Sequence, residues 1–147
     1  MNRLVFKVEK RDRLMTRDIS LTQMICAAFI LTKDKRGKYV PVDRTAWAYA
    51  LKEAKQKGLV PEPYNSQLHF VNGATEIVCL EVEKIQRTAV QFRLMGNPSP
   101  EYTQLDVRCG KQTARCVLSR LKLDEPILIA LGNSLRDSMR EYAQQQA

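Results

Sequence analysis

Apolar and charged residues alternate from Asn2 to Glu9, with Leu4, Phe6 and Val8 on one side and Arg3, Lys7 and Glu9 on the other. A repeat of two marks a half-buried strand and predicts the first strand of the chain. From Ser20, a residue type that caps helices, Leu21, Met24, Ile25, Ala28 and Phe29 recur at helical spacing. The run Met24–Leu31 is apolar enough for a buried strand as well, and the spacing favours a helix. Lys33–Lys38 reads as a charged turn around Gly37, and Tyr39–Val42 as a short extended piece, because Pro41 restricts its neighbour.

The next element is the best marked. Asp43 is placed to cap a helix over Arg44–Lys57, with Gly58 just past its end and Pro61 soon after. Trp47, Ala50, Leu51 and Ala54 form its apolar stripe, and Arg44, Lys52 and Lys55 lie away from it. Gln67–Val71 and Ala74–Lys84 flank Asn72-Gly73, the dipeptide of a two-residue type I′ hairpin. Thr88–Leu94 continues the alternation through Val90, Phe92 and Leu94, which extends the hairpin to a meander of three strands. Beyond the breaker cluster Gly96–Pro100, Thr103–Cys109 reads as a further strand and Gly110-Lys111 as a turn, while Thr113–Leu123 fits helix and strand alike. Asp124-Glu125-Pro126 opens a C-terminal helix, with acidic residues at the positive end of its dipole. Leu128, Leu131, Leu135, Met139 and Tyr142 run down one side of it, and Gly132 marks a close contact or a kink. The elements together predict an α+β fold, a largely antiparallel sheet of about four or five strands packed against two or three helices.

Composition adds few surprises. The chain has 147 residues, 44% hydrophobic and 27% charged, which is the size and make-up of one globular domain over residues 1–147. Its longest apolar runs fall well short of the roughly 20 residues that cross a bilayer, and its first residues lack the unbroken apolar stretch of a secretory signal. A cytoplasmic protein without membrane contact is expected. Cys26, Cys79, Cys109 and Cys116 match neither a disulfide framework nor a zinc spacing, and are read as buried thiols.

Charge changes the picture more. The net charge is +8, and it is segregated: residues 1–58 hold 14 Lys or Arg against 6 Asp or Glu, and residues 107–123 hold 5 against none. Segregation of this kind allows a one-sided positive field, of the sort that attracts phosphate backbones or acidic protein faces, if the fold brings the two segments together. Lys33, Lys35, Arg36, Lys38 and Arg44 lie beside Tyr39, Trp47 and Tyr49, the cations and rings that single-stranded nucleic acid uses. Trp47 sits on the apolar stripe and is assigned to the core; Tyr39, next to the charged turn, is the stacking candidate. A second patch comprises Arg108, Lys111, Arg115, Arg120 and Lys122. A third, with Lys10, Arg11, Arg13 and Arg17, is diluted by Asp12 and Asp18.

Catalytic chemistry has little to draw on. His69 is the only histidine, falls within a predicted strand and is read as structural, which leaves Ser-His-Asp and Cys-His sites without support. Glu81 and Glu83 on one strand face, with Asp106, are the residue types of a divalent-cation site for phosphodiester hydrolysis, although no third carboxylate stands at a recognisable spacing. Gly110-Lys111 resembles the end of a phosphate-binding loop, but Leu105 stands in place of its first glycine and Gln112 in place of its Ser or Thr. No G-x-G-x-x-G and no Cys/His metal spacing occurs, so neither cofactor nor metal is expected. The aromatic signature of the RNA-recognition sheet, the GXXG loop of KH domains and a helix-turn-helix pattern are also missing. The expectation is a small non-catalytic accessory protein that contacts the nucleic-acid backbone, DNA or RNA, through its basic patches. The alternatives are an adaptor or inhibitor docking a basic face on an acidic or nucleic-acid-binding protein, and a metal-dependent nuclease. The apolar stripe of the last helix offers a route to a homo-oligomer.

Overall fold

The computed structural model describes residues 19–97 and 103–146, so the strand expected at Asn2–Glu9 lies outside the described residues. The first described helix, α1 (19–31), runs through the core. Every side chain from Met24 to Leu31 is buried, as expected of a helix that is apolar all round. The charged turn behind it closes into a one-turn helix, α2 (Lys33–Arg36), before β1 (Tyr39–Pro41). α3 (Arg44–Gln56) begins where Asp43 accepts a hydrogen bond from the Thr45 backbone N–H at 2.9 Å, and Gly58 follows it at φ +72°. Trp47 is buried, its ring 5.5 Å from that of Phe29 and its Nε1–H donated to the Pro41 carbonyl at 2.6 Å.

A 3-10 turn (Asn65–Gln67) leads to the hairpin of β2 (Phe70–Asn72) and β3 (Ile77–Cys79). The hairpin forms where Asn72-Gly73 places it, but its loop differs. Asn72 pairs with Ile77, and Gly73 N–H reaches the Glu76 carbonyl at 2.7 Å, so residues 73–76 bridge the strands in place of a two-residue type I′ turn. The meander does not form: Val82–Gln91 is a helix, α4. Val82, Ile85, Gln86 and Ala89 are its buried residues, a 3.6-residue period that outweighs the alternation of Val90, Phe92 and Leu94. β4 (Met95–Gly96) and β5 (Gln104–Val107) join β1 in an antiparallel sheet of order β1-β5-β4. The ambiguous stretch is helical as α5 (Lys111–Leu121), and α6 (Glu125–Gln146) closes the chain.

The architecture is therefore α+β, with helix as its larger part and its five described strands divided between two small antiparallel sheets. α6 packs on α3, with Tyr49 and Tyr142 rings 5.8 Å apart, and its stripe of Leu128, Leu131, Leu135 and Met139 is buried in the core of this chain. Gly132 marks a close contact: a β-carbon there would run into the Ala28 carbonyl of α1. One turn on, Arg136 caps α1 by donating to the Phe29 carbonyl and the Thr32 hydroxyl, both at 2.8 Å. Burial first, and the nearby Arg36 second, lower its pKa to about 10. Among the described residues no helix is long and apolar enough to cross a membrane.

Candidate nucleic-acid interface

Two basic segments separated by some 65 residues in sequence meet in the sheet. β1 and β5 pair with Tyr39 opposite Asp106 and Val40 opposite Leu105. Val40, Leu105 and Val107 are buried, so the period-2 alternation turns Tyr39, Asp106 and Arg108 to the other face. Val107 N–H donates to the Lys38 carbonyl at 2.7 Å, and Lys33 Nζ donates to the Cys109 carbonyl at 2.8 Å. Lys111, at the start of α5, pairs with Asp34 of α2 at 3.1 Å. Lys33, Lys38, Arg108 and Lys111 thus meet where α2 and β1 join β5 and α5, and Lys35 and Arg36 lie on the adjoining α2.

Carboxylates temper this field without cancelling it. Arg36 pairs with Asp137 and bonds Asn133 at 3.2 Å, which fastens α2 to α6. Arg108 lies 3.7 Å from Asp106 and stacks against Gly96, where any side chain would collide with its guanidinium. Asp34, Asp106 and Asp137 thus each pair with one cation, Lys111, Arg108 and Arg36 respectively. Among the described residues no carboxylate pairs with Lys35 or Lys38. Tyr39 is 47% exposed, with the Lys38 ammonium 5.2 Å from its ring centre, the contact of a cation with a π face.

The remaining predicted residues are not brought here. Arg44 sits beyond the other end of β1 and pairs with Glu83 at 3.5 Å. Arg115, midway along α5, pairs with Glu125 at 3.2 Å. Arg120 lies near Tyr64, whose pKa is raised by burial and drawn back by that guanidinium, so Arg120 and its neighbour Lys122 belong to the far end of α5. Arg11, Arg13 and Arg17 lie outside the described residues.

The carboxylates considered for a metal are dispersed. Glu81 and Glu83 flank the start of α4 instead of sharing a strand face, Glu83 and Asp106 are paired with arginines, and among the described residues no three His, Cys, Asp or Glu are grouped to hold an ion. The cysteines also divide: Cys26 and Cys79 are buried, Cys109 is half-buried, and Cys116 is exposed on the outer face of α5. His69 is 62% exposed instead of enclosed in a strand, and it pairs with Glu81 at 2.9 Å. Sequence spacing carries no sign of that pair, which arises where the residue before β2 meets the second residue after β3. No protein-family model, curated protein or solved structure matches this chain. The reading of the site rests on its own chemistry.

Proposed function

We propose that this protein binds single-stranded nucleic acid on the surface formed by α2, β1, β5 and the first turn of α5. The observation that supports the reading is the β1–β5 pairing, which brings Lys38 and the exposed ring of Tyr39 beside the Arg108 end of β5, with Lys33 and Lys111 bonded across the same junction. Lysines and arginines supply phosphate contacts, and a tyrosine among them supplies a stacking surface that any base can use. Duplex grooves are read by an inserted helix or ribbon, and α2, at four residues, is too short to serve as one. The role is that of a non-catalytic accessory protein, acting where nucleic acid is handled in the cytoplasm.

The test is equilibrium binding of a fluorescent single-stranded oligonucleotide across a salt series. With about four phosphates neutralised, log affinity falls with log salt at a slope of about −3, since each single-strand contact contributes about 0.7. Tyr39→Ala weakens binding by about 1–3 kcal/mol while leaving the slope unchanged, because stacking releases no counterions. Absence of binding at low salt removes the proposal. A partner captured by the protein and retained after nuclease treatment directs the basic face to an acidic protein surface instead.

A further inference from the structure

A cavity of about 770 Å³ opens between the first turns of α1, the 63–69 segment and the start of α4, a volume typical of small-molecule sites. Its ionic groups are matched within the protein. Glu81 Oε2 accepts from His69 Nδ1 at 2.9 Å, and Glu81 Oε1 accepts from the His69 backbone N–H at 2.7 Å and lies 3.6 Å from the Cys79 thiol. Lys84, the cation of the lining, is engaged as well. No ionic group of the lining is therefore left to hold a charged ligand, and an anion entering the cavity would meet the carboxylate of Glu81.

What remains is uncharged and can both give and take hydrogen bonds. A carboxylate is an acceptor only, so His69 Nδ1 carries the proton; Nε2 then accepts from a ligand when the ring is neutral and donates when it is charged. The Gln67 amide, at the end of the 3-10 turn, holds a donor and an acceptor, and among the described residues its side chain has no partner. Both groups are met by a ligand edge that carries a donor beside an acceptor, as a nucleobase does, and glutamine pairs with an adenine edge in this way. Leu21, Leu80 and Ile85 line the cavity with apolar surface, and Leu80 is 61% exposed, so a ring laid against them removes apolar area from water. We propose that this cavity is a binding site for an uncharged heterocycle of the nucleobase kind, its donor–acceptor edge met by His69 and Gln67 and its ring resting on Leu21, Leu80 and Ile85. The site is independent of the basic surface, which lies at the other end of α1: thirteen residues of helix place the two about 20 Å apart.

Calorimetric titration of the full chain with adenosine, and separately with ribose 5-phosphate, tests it, with the His69 ring resonances followed by NMR to locate the binding. Saturable binding that shifts the His69 resonances is expected with adenosine, and none with ribose 5-phosphate, which has the sugar and an anion but no base. Gln67→Leu and His69→Phe, which keep the bulk of the side chain and remove its hydrogen bonds, each weaken adenosine binding about tenfold. Cooperative thermal melts of both variants establish that they fold. Lys35→Glu with Lys38→Glu leaves adenosine binding unchanged while lowering oligonucleotide affinity, which separates this site from the proposed function. No saturation into the millimolar range, equal binding of ribose 5-phosphate, or affinity for adenosine that survives both cavity substitutions overturns the proposal.

Discussion

At the scale of single residues, the four thiols illustrate how position sets chemistry. Cys116 is exposed on α5, whereas Cys26 is wholly buried and desolvation drives its pKa far above the ordinary 9.0. Burial likewise pushes Cys79 up to about 11, helped by the carboxylate of Glu81. Above pH 9 the unfolded chain ionises these thiols while the folded chain keeps them protonated. The folded state then binds more protons, so stability is full below pH 9 and falls as pH rises. The slope is at most about 1.4 kcal/mol per pH unit for each thiol. Urea unfolding of the parent and of Cys26→Ala between pH 8 and 10 checks this, since lysines and tyrosines titrate equally in both. The parent curve should drop more steeply above pH 9, and parallel curves would mean that Cys26 ionises alike in both states. A thiol reagent at pH 8 should modify Cys116 first and reach Cys26 and Cys79 only on unfolding.

At the scale of elements, helix ends decide what was legible. α3 announces itself with Asp43 before it and Gly58 after it, and both act as the sequence implies. α4 has neither device. Glu81 at its N-cap makes no side-chain capping bond to the helix, and Arg93 closes it at φ +61°, where glycine is the usual occupant. Without those marks, its apolar residues can be counted in twos or in threes and fours, and the wrong count produces a meander. The cost of a side chain in the left-handed region is about 1 kcal/mol. Arg93→Gly should therefore raise stability by about 0.5–1 kcal/mol, because the Leu94 N–H bond to the Ala89 carbonyl at 2.9 Å requires that conformation. An unchanged or lower midpoint in chemical unfolding would show that the arginine side chain contributes more than its backbone costs. The pairing of β1 with β5 had no local signal either. Its register is fixed by Val40, Leu105 and Val107 entering one core, a fact of packing and not of spacing.

At the scale of the molecule, the question is whether its positive charge acts as one field or two. α5 carries Lys111 at one end and Arg120 and Lys122 at the other, and eleven residues of helix separate those ends by about 16 Å. Lys111 pairs with Asp34 of α2, whereas the charge of Arg120 acts on Tyr64. The Debye length is about 8–10 Å at physiological salt, shorter than that separation, so the two ends act on a ligand separately. The continuous basic helix implied by the run of five cations without a carboxylate is therefore divided by geometry, with Arg115 between the ends already paired with Glu125. A double charge reversal at each end tests the division. Lys35→Glu with Lys38→Glu should reduce oligonucleotide affinity at least tenfold at about 0.1 M salt and flatten the salt slope by about 1.4, two contacts' worth. Arg120→Glu with Lys122→Glu should leave slope and affinity within about twofold. If both pairs lower oligonucleotide affinity equally, the strand must run the length of α5, and the surface assigned to α2, β1 and β5 is only part of its path.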